Sequence, residues 1–154
     1  MSKSTNKSLM IQGTASGVGK TLFTAALCRI LYQDGISVAP FKAINISLNS
    51  GVTKDGKEIA TGQIVQAQAS GVEPNADMNP FLVKPQQGLK PQIIIKGKVA
   101  TTGQIKKFYK NPDGLWSVVK KSFDNICSNY EMVVLEGAGN CAEPGFIQDD
   151  IVNL

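Results

Sequence analysis

Apolar positions along this chain alternate between short dense runs and longer stretches with helical spacing. Residues 8–12, SLMIQ, form the first run; too short for a helix and cut off by Gly13, it reads as a short buried strand. From Lys20 onward Phe23, Leu27, Ile30 and Leu31 fall on one helical face, and the pattern stops at Gln33-Asp34-Gly35, where glycine is placed to cap it. A second strand is predicted over 37–41. The polar, small-residue stretch 42–57 is too long for a simple connection, and loops of that length in a compact domain are usually functional. Residues 58–70, rich in Ala, Gln and Ile, predict a helix ending at Gly71. The β-branched run Ile93-Ile94-Ile95 centres a strand over 92–96. Asn111-Pro112-Asp113 is a good helix start, and Leu115, Val118, Val119, Phe123 and Ile126 give that helix one apolar face up to about Asn129. Met132 to Leu135 is the last apolar strand, with Glu136 at its end.

Short apolar strands alternating with amphipathic helices predict an α/β fold, a mostly parallel sheet covered on both faces by helices. After Glu136 the chain offers a Gly-rich loop over 137–145 and a tail, DDIVNL, at 149–154. A doubly wound sheet ordinarily continues past such an acidic strand end. The expectation is therefore one domain over 1–154, the N-terminal piece of a larger protein, with its later strands missing.

Composition narrows the partners. A chain of 154 residues, 42% hydrophobic and 18% charged, is an ordinary single globular domain. Its net charge of +4 is spread along the chain apart from a modest cluster at Lys106, Lys107 and Lys110, most simply a solvated face. That balance suits an anionic small molecule, and the lack of a dense basic run interleaved with aromatics argues against nucleic acid. The apolar part of the N-terminus is only Leu9, Met10 and Ile11, far short of a signal-peptide core or a membrane span, so a cytoplasmic setting without a membrane partner is expected. Cys28, Cys127 and Cys141 are odd in number and lack metal-ligand spacing. With no histidine, a Cys/His nucleophilic pair is excluded, and Cys141 reads as a passive small residue.

The stretch IQGTASGVGKT carries the strongest chemistry. The usual phosphate-loop spacing places four residues between its glycines; here five, Thr14 to Val18, separate Gly13 from Gly19, and Thr14 holds the standard first-glycine position. Phosphate is bound by backbone N–H groups at a helix N-terminus, and Ser16, Gly17, Val18, Gly19 and Lys20 still form such a concave nest. Gly17 and Gly19 tolerate the positive φ it needs. Lys20 would bridge the β- and γ-phosphates of ATP, and the Thr21 hydroxyl would ligate Mg²⁺. The fold class is accordingly P-loop NTPase-like. Glu136 stands where a carboxylate holds the metal opposite such a loop, beside Gly137-Ala138-Gly139; a solvated strand end is the competing reading. Lys42, at the same sheet edge, reads equally as a neutraliser of a substrate carboxylate or acyl phosphate and as a solvated lysine. Glu58, Gln63 and Gln66 on the next helix read equally as metal or substrate contacts and as surface polarity.

Together IQGTASGVGKT, VAPFKAINISLNS, EIATGQIVQAQASGVEPNADMNPFLVKP and EGAGNCAEPGFIQDDIVNL resemble the N-terminal, ATP-binding part of the cobyric acid synthases, from about Met10 to Leu154. The middle block, through Val72-Glu73-Pro74 and Asp77-Met78-Asn79-Pro80 to Lys84-Pro85, is the most specific, having no generic nucleotide-binding explanation. Dethiobiotin synthetase and cobyrinic acid diamide synthase share the displaced phosphate loop. The resemblance implies amidation of corrinoid side-chain carboxylates in cobalamin biosynthesis, cobyrinic acid a,c-diamide to cobyric acid, through acyl phosphates made with ATP and Mg²⁺. Ammonia would come from glutamine through a glutaminase domain outside these residues, since that half needs a histidine. In that scheme Lys20 stabilises the transferring phosphoryl group, Thr21 and Glu136 hold Mg²⁺, Lys42 orients the substrate, and Asn45, Asn49 and Ser50 are substrate contacts. The chain departs from the family at Lys42-Ala43-Ile44-Asn45-Ile46, where Lys-Pro-Gln-Asn-Met is usual, and at Gly17, where aspartate is frequent. Two other readings compete: a dethiobiotin synthetase-like ligase on another acid, which the middle block disfavours, and a partitioning-type ATPase switch, whose signature lysine is replaced by Ala15. Weak stability, or homo-oligomers formed through an exposed sheet edge, is expected of the chain alone.

Overall fold

The computed structural model describes residues 7–101, 112–141 and 153. In chain order its elements are β1 (Lys7–Ile11), α1 (Lys20–Gln33), β2 (Val38–Phe41), β3 (Ile44–Ile46), β4 (Ser50–Val52), β5 (Glu58–Ala60), α2 (Thr61–Ala69), β6 (Phe81–Lys84), β7 (Gln92–Ile95), β8 (Lys98–Val99), α3 (Pro112–Asn129) and β9 (Met132–Glu136). The nucleotide-type sheet is parallel throughout, in the order β1-β9-β2. Side chains alternate across it. Val38, Met132 and Val134 pack on one face against Cys28, Leu27 and Leu31 of α1. Ala39, Phe41, Val133 and Leu135 pack on the other against Val119, Phe123 and Ile126 of α3. Phe41 and Phe123 meet edge to face with centroids 5.3 Å apart, a geometry that aligns one ring's positive edge with the other's negative face. The α/β architecture with helices on both faces follows from that alternation.

A second, mixed sheet runs in the order β3-β6-β7-β8, with β3 parallel to β6 and the remaining pairs antiparallel. A hairpin of β4 and β5 stands beside it. This half corrects the reading of the sequence in two places and adds a strand for which the sequence carried no expectation. Residues 42–57 are not one loop: they hold β3 and β4, whose pairing partners lie later in the chain. The helix expected over 58–70 begins only at Thr61, because Glu58 is drawn into the hairpin by Ser50 and by Lys84 on β6. Between Pro80 and Pro85, FLVK forms β6, a central strand whose prolines fall just outside it and remove no ladder bond. β7 turns into β8 through Lys96 and Gly97, with φ of 51° and 75°, the paired positive dihedrals of a two-residue hairpin turn.

Burial also departs from the periodicity. On α1 the inward residues are Lys20, Thr24, Ala25 and Cys28, whereas Phe23 and Ile30 of the expected apolar face are 60% and 54% exposed. The inward stripe is small because α2 packs closely against α1: a Cβ on Gly62 of α2 would come within 3.0 Å of Thr21 Cγ2. β1, expected to be buried, is exposed to half-buried, since β9 is its one paired neighbour among the described residues.

Candidate functional site

Parallel pairing brings three strand ends to one edge. Ile11 is in register with Glu136, and Phe41 with Leu135, so the residues that follow β1 and β2 emerge beside the acid that ends β9. The loop after β1 is the glycine-rich turn, the residue after β2 is Lys42, and the residues after β9 are Gly137 to Gly139. This is the carboxyl edge of a parallel sheet, where α/β folds place their ligands.

The turn has the conformation its glycines license. Gly17 and Gly19 have φ of 78° and 93°, and Gly19 caps the N-terminus of α1 in the left-handed region. Gly13 is required for a different reason: a Cβ there would come within 2.8 Å of Val18 Cγ2 and 3.1 Å of Lys20 Cδ. The displaced glycine thus lets the loop fold back over its own start. Lys20 Nζ crosses the turn to donate to the carbonyls of Ala15 (2.7 Å) and Gly139 (3.0 Å). Those bonds tie the loop after β1 to the loop after β9, as does the amide of Cys141, which donates to the Gly13 carbonyl.

Glu136 is the hub of the site. It is 2% exposed. Its Oε1 accepts from the Thr21 hydroxyl at 2.7 Å and from Lys42 Nζ at 2.6 Å. Its Oε2 accepts from the side-chain amide of Gln66 at 2.6 Å and, more weakly, from that of Gln63 at 3.4 Å. A carboxylate buried to this degree is stable only when its oxygens are hydrogen-bonded or paired, and here both are. A cleft of about 530 Å³ opens over the turn, lined by Ser16, Gly17, Gly19, Lys20, Thr21, Lys42, Asn45, Glu136 and Gly139, with Leu22 and Ile46 at its exposed rim.

Of the other residues singled out in the sequence, Thr14 and Val18 lie in the turn without lining that cleft. Asn49 and Ser50 are not among its lining residues either. The Asn49 carbonyl accepts from the Thr61 amide, and the Ser50 hydroxyl donates to Glu58, which also accepts from Lys84 at 2.6 Å. Those contacts hold the β4–β5 hairpin to β6, and the Lys84 ammonium, followed by Ser50, keeps the Glu58 carboxyl below the ordinary carboxylate range. Lys106, Lys107 and Lys110 lie outside the described residues. Gln63 and Gln66 are not surface residues: both are fully buried and both reach the acid. Their i, i+3 spacing, which puts two amides on one helical face, was the available signal. Asn153 brackets the far side, pairing both ways with the backbone of Ala138. A Cβ on Gly137 would strike its Oδ1 at 2.3 Å.

A strand, a glycine turn with a buried lysine, a helix, and an acid ending the neighbouring strand define a P-loop nucleotide-binding domain. The chain belongs to the CobQ/CobB/MinD/ParA nucleotide binding domain family, whose profile matches residues 9–142. It is 47% identical over 96% of its length to a cobyric acid synthase of Clostridium perfringens, and 46% identical over 95% to one of Syntrophobacter fumaroxidans. It is also 46% identical over 99% of its length to the adenosylcobalamin biosynthesis bifunctional protein CobDQ of Leptospira interrogans, of which it covers 18%. The chain spans 30% and 28% of the two synthases. No helix among the described residues is long and apolar enough to cross a membrane.

Proposed function

We propose that this chain is the carboxylate-activating part of a cytoplasmic ATP-dependent amidotransferase that converts corrinoid side-chain carboxylates to carboxamides. The substrate of the reading is cobyrinic acid a,c-diamide and its product cobyric acid, with ammonia supplied from glutamine by a further domain. The observation that carries it is the second lysine: Lys42 stands with Lys20, Thr21 and Glu136 at one cleft. Hydrolysing a nucleotide needs the loop lysine and a metal site; activating an anionic substrate also needs a cation facing that anion.

A carboxylate is a poor electrophile, and phosphorylation gives it a leaving group that ammonia then displaces. In this chain the backbone nest of residues 16–20 would hold the phosphates, and the Lys20 ammonium would neutralise charge on the phosphoryl group in transfer. Thr21 and Glu136 fit magnesium: a hydroxyl and a carboxylate oxygen already meet within 2.7 Å, both are hard donors, and this ion usually takes few protein ligands beside phosphate oxygens. Bound there, magnesium supplies charge neutralisation at the phosphate oxygens. Lys42 would exchange its contact with Glu136 for the incoming carboxylate, holding it in line with the phosphoryl group.

The test is acyl-phosphate trapping in the intact protein. With ATP, magnesium, the diamide substrate and hydroxylamine, we expect a hydroxamate matching the ADP released. Replacing Lys20 by alanine should slow it by on the order of a thousandfold, about 4 kcal/mol of transition-state stabilisation. ADP release without hydroxamate, or unchanged turnover in Lys20→Ala, would reject the reading.

A further inference from the structure

The buried amides around Glu136 form a chain whose direction is fixed at the end nearest the acid. At one end Gln66 Nε2 donates to two groups that only accept, the Glu136 carboxylate at 2.6 Å and the Thr21 carbonyl at 3.2 Å. Its Oε1 must therefore point the other way, where it accepts from Gln63 Nε2 at 3.2 Å. Gln63 Oε1 in turn accepts from Asn45 Nδ2 at 2.7 Å. Each amide has one donor side and one acceptor side, so the orientation of each dictates that of the next. Gln63 and Gln66 are both fully buried, which leaves water no access to repair a broken link.

We propose that Asn45, Gln63 and Gln66 are positioning residues that fix the rotamer of Glu136. Oε2 is saturated by the glutamine amides, and Oε1 is left facing Thr21, Lys42 and the cleft. The relay joins β3 to the acid on β9, so Asn45 acts through Gln63 and not only through its own place at the cleft. Ligand-orienting partners of this kind are typically worth about 10–100-fold in metal affinity. The inference rests on the proposed assignment of Glu136 to magnesium.

The test is binding of a fluorescent ATP analogue to the full chain, with magnesium and with EDTA, read as the ratio of the two dissociation constants. Gln66→Leu should shrink the magnesium-dependent gain by at least about tenfold. Asn45→Asp presents only acceptor oxygens to Gln63, which must then turn its own oxygen toward Gln66 and Glu136. It should lose a similar factor, and adding Gln63→Leu to it should cost little more, because both changes break one relay. A residue that merely contacts substrate would leave the magnesium ratio unchanged. Circular dichroism identifies any variant that fails to fold; if Gln66→Leu does, Asn45→Asp, at the partly exposed end of the relay, decides the matter. No magnesium-dependent binding in the unsubstituted chain overturns the functional reading and this inference with it. A wild-type ratio in the folded variants overturns the inference alone.

Discussion

Lys42→Met isolates the energetics of the Glu136 hub. The lysine is 8% exposed and the acid 2%, and they meet at 2.6 Å, so the substitution leaves a buried carboxylate without its counter-charge. Removing one partner of a buried pair costs about 3–5 kcal/mol. The lower end applies, because the Thr21 hydroxyl and the Gln66 amide still donate to the carboxylate, and bonds to charged groups each contribute about 1.5–3 kcal/mol. Urea unfolding at neutral pH, followed by fluorescence of the single tryptophan, Trp116 on α3, reads the loss. With a slope of about 2 kcal/mol per molar, a 3 kcal/mol loss moves the midpoint down by about 1.5 M. Adding Glu136→Gln removes the orphaned charge, and the double variant should recover part of that shift. A midpoint in Lys42→Met within about 0.3 M of the parent would refute the reasoning, since it would mean that the pair contributes no more than an exposed one.

Further outcomes follow from the same geometry. Gly13→Ala should weaken binding of the fluorescent nucleotide by about tenfold or more, about 1.4 kcal/mol, because its Cβ meets Val18 and Lys20; parental affinity would contradict the close approach. Gly17→Ala meets no neighbouring atom, so its cost is the positive φ alone, about 1–2 kcal/mol of stability in thermal or urea unfolding. The folded pKa of Glu58 is depressed, so its contribution is present above the ordinary carboxyl pKa of 4.5 and lost as the pH falls through the folded value beneath it. Glu58→Gln should accordingly flatten the fall in melting temperature below about pH 5, and parallel curves for the two proteins would refute this. β1 has one paired neighbour among the described residues, so sedimentation should detect association at high concentration that a proline at Leu9 suppresses; a strictly monomeric parent would count against an open edge.

The parallel sheet and the phosphate turn were legible in the sequence because both depend on local pattern. Dense apolar runs marked β2, β7 and β9, and Gly17, Gly19, Lys20 and Thr21 carry their conformation and chemistry in their own residue types. The second sheet was less legible because its strands are short and their partners distant. β3 and β4 look like a polar loop until Phe81–Lys84 and Glu58–Ala60 are known to lie beside them. The α1 face was half legible: Leu27 and Leu31 pack on the sheet as expected, but close approach of α2 favours the small Thr24 and Ala25 over the larger Phe23 and Ile30, and periodicity carries no information about a neighbour's distance. For Gln63 and Gln66 the sequence leaves site contact and surface polarity equally open, because a buried amide and an exposed one are the same letter.

What separates those two cases is the acid. A buried glutamine with no acceptor would be costly, as would a buried glutamate with no donors; each residue type is permissible in this core only because the other is there. Glu136 comes from β9, Thr21 from α1, Lys42 from the end of β2, and Gln63 and Gln66 from α2, so the charge is satisfied only when four separate elements have docked. The same carboxylate that would face a metal therefore also couples the helix carrying the phosphate turn to the helix α2 and, through Asn45, to the second sheet. A perturbation of Glu136 must in consequence register in the packing of all of them, and this is why nucleotide affinity and unfolding midpoint should move together in Lys42→Met.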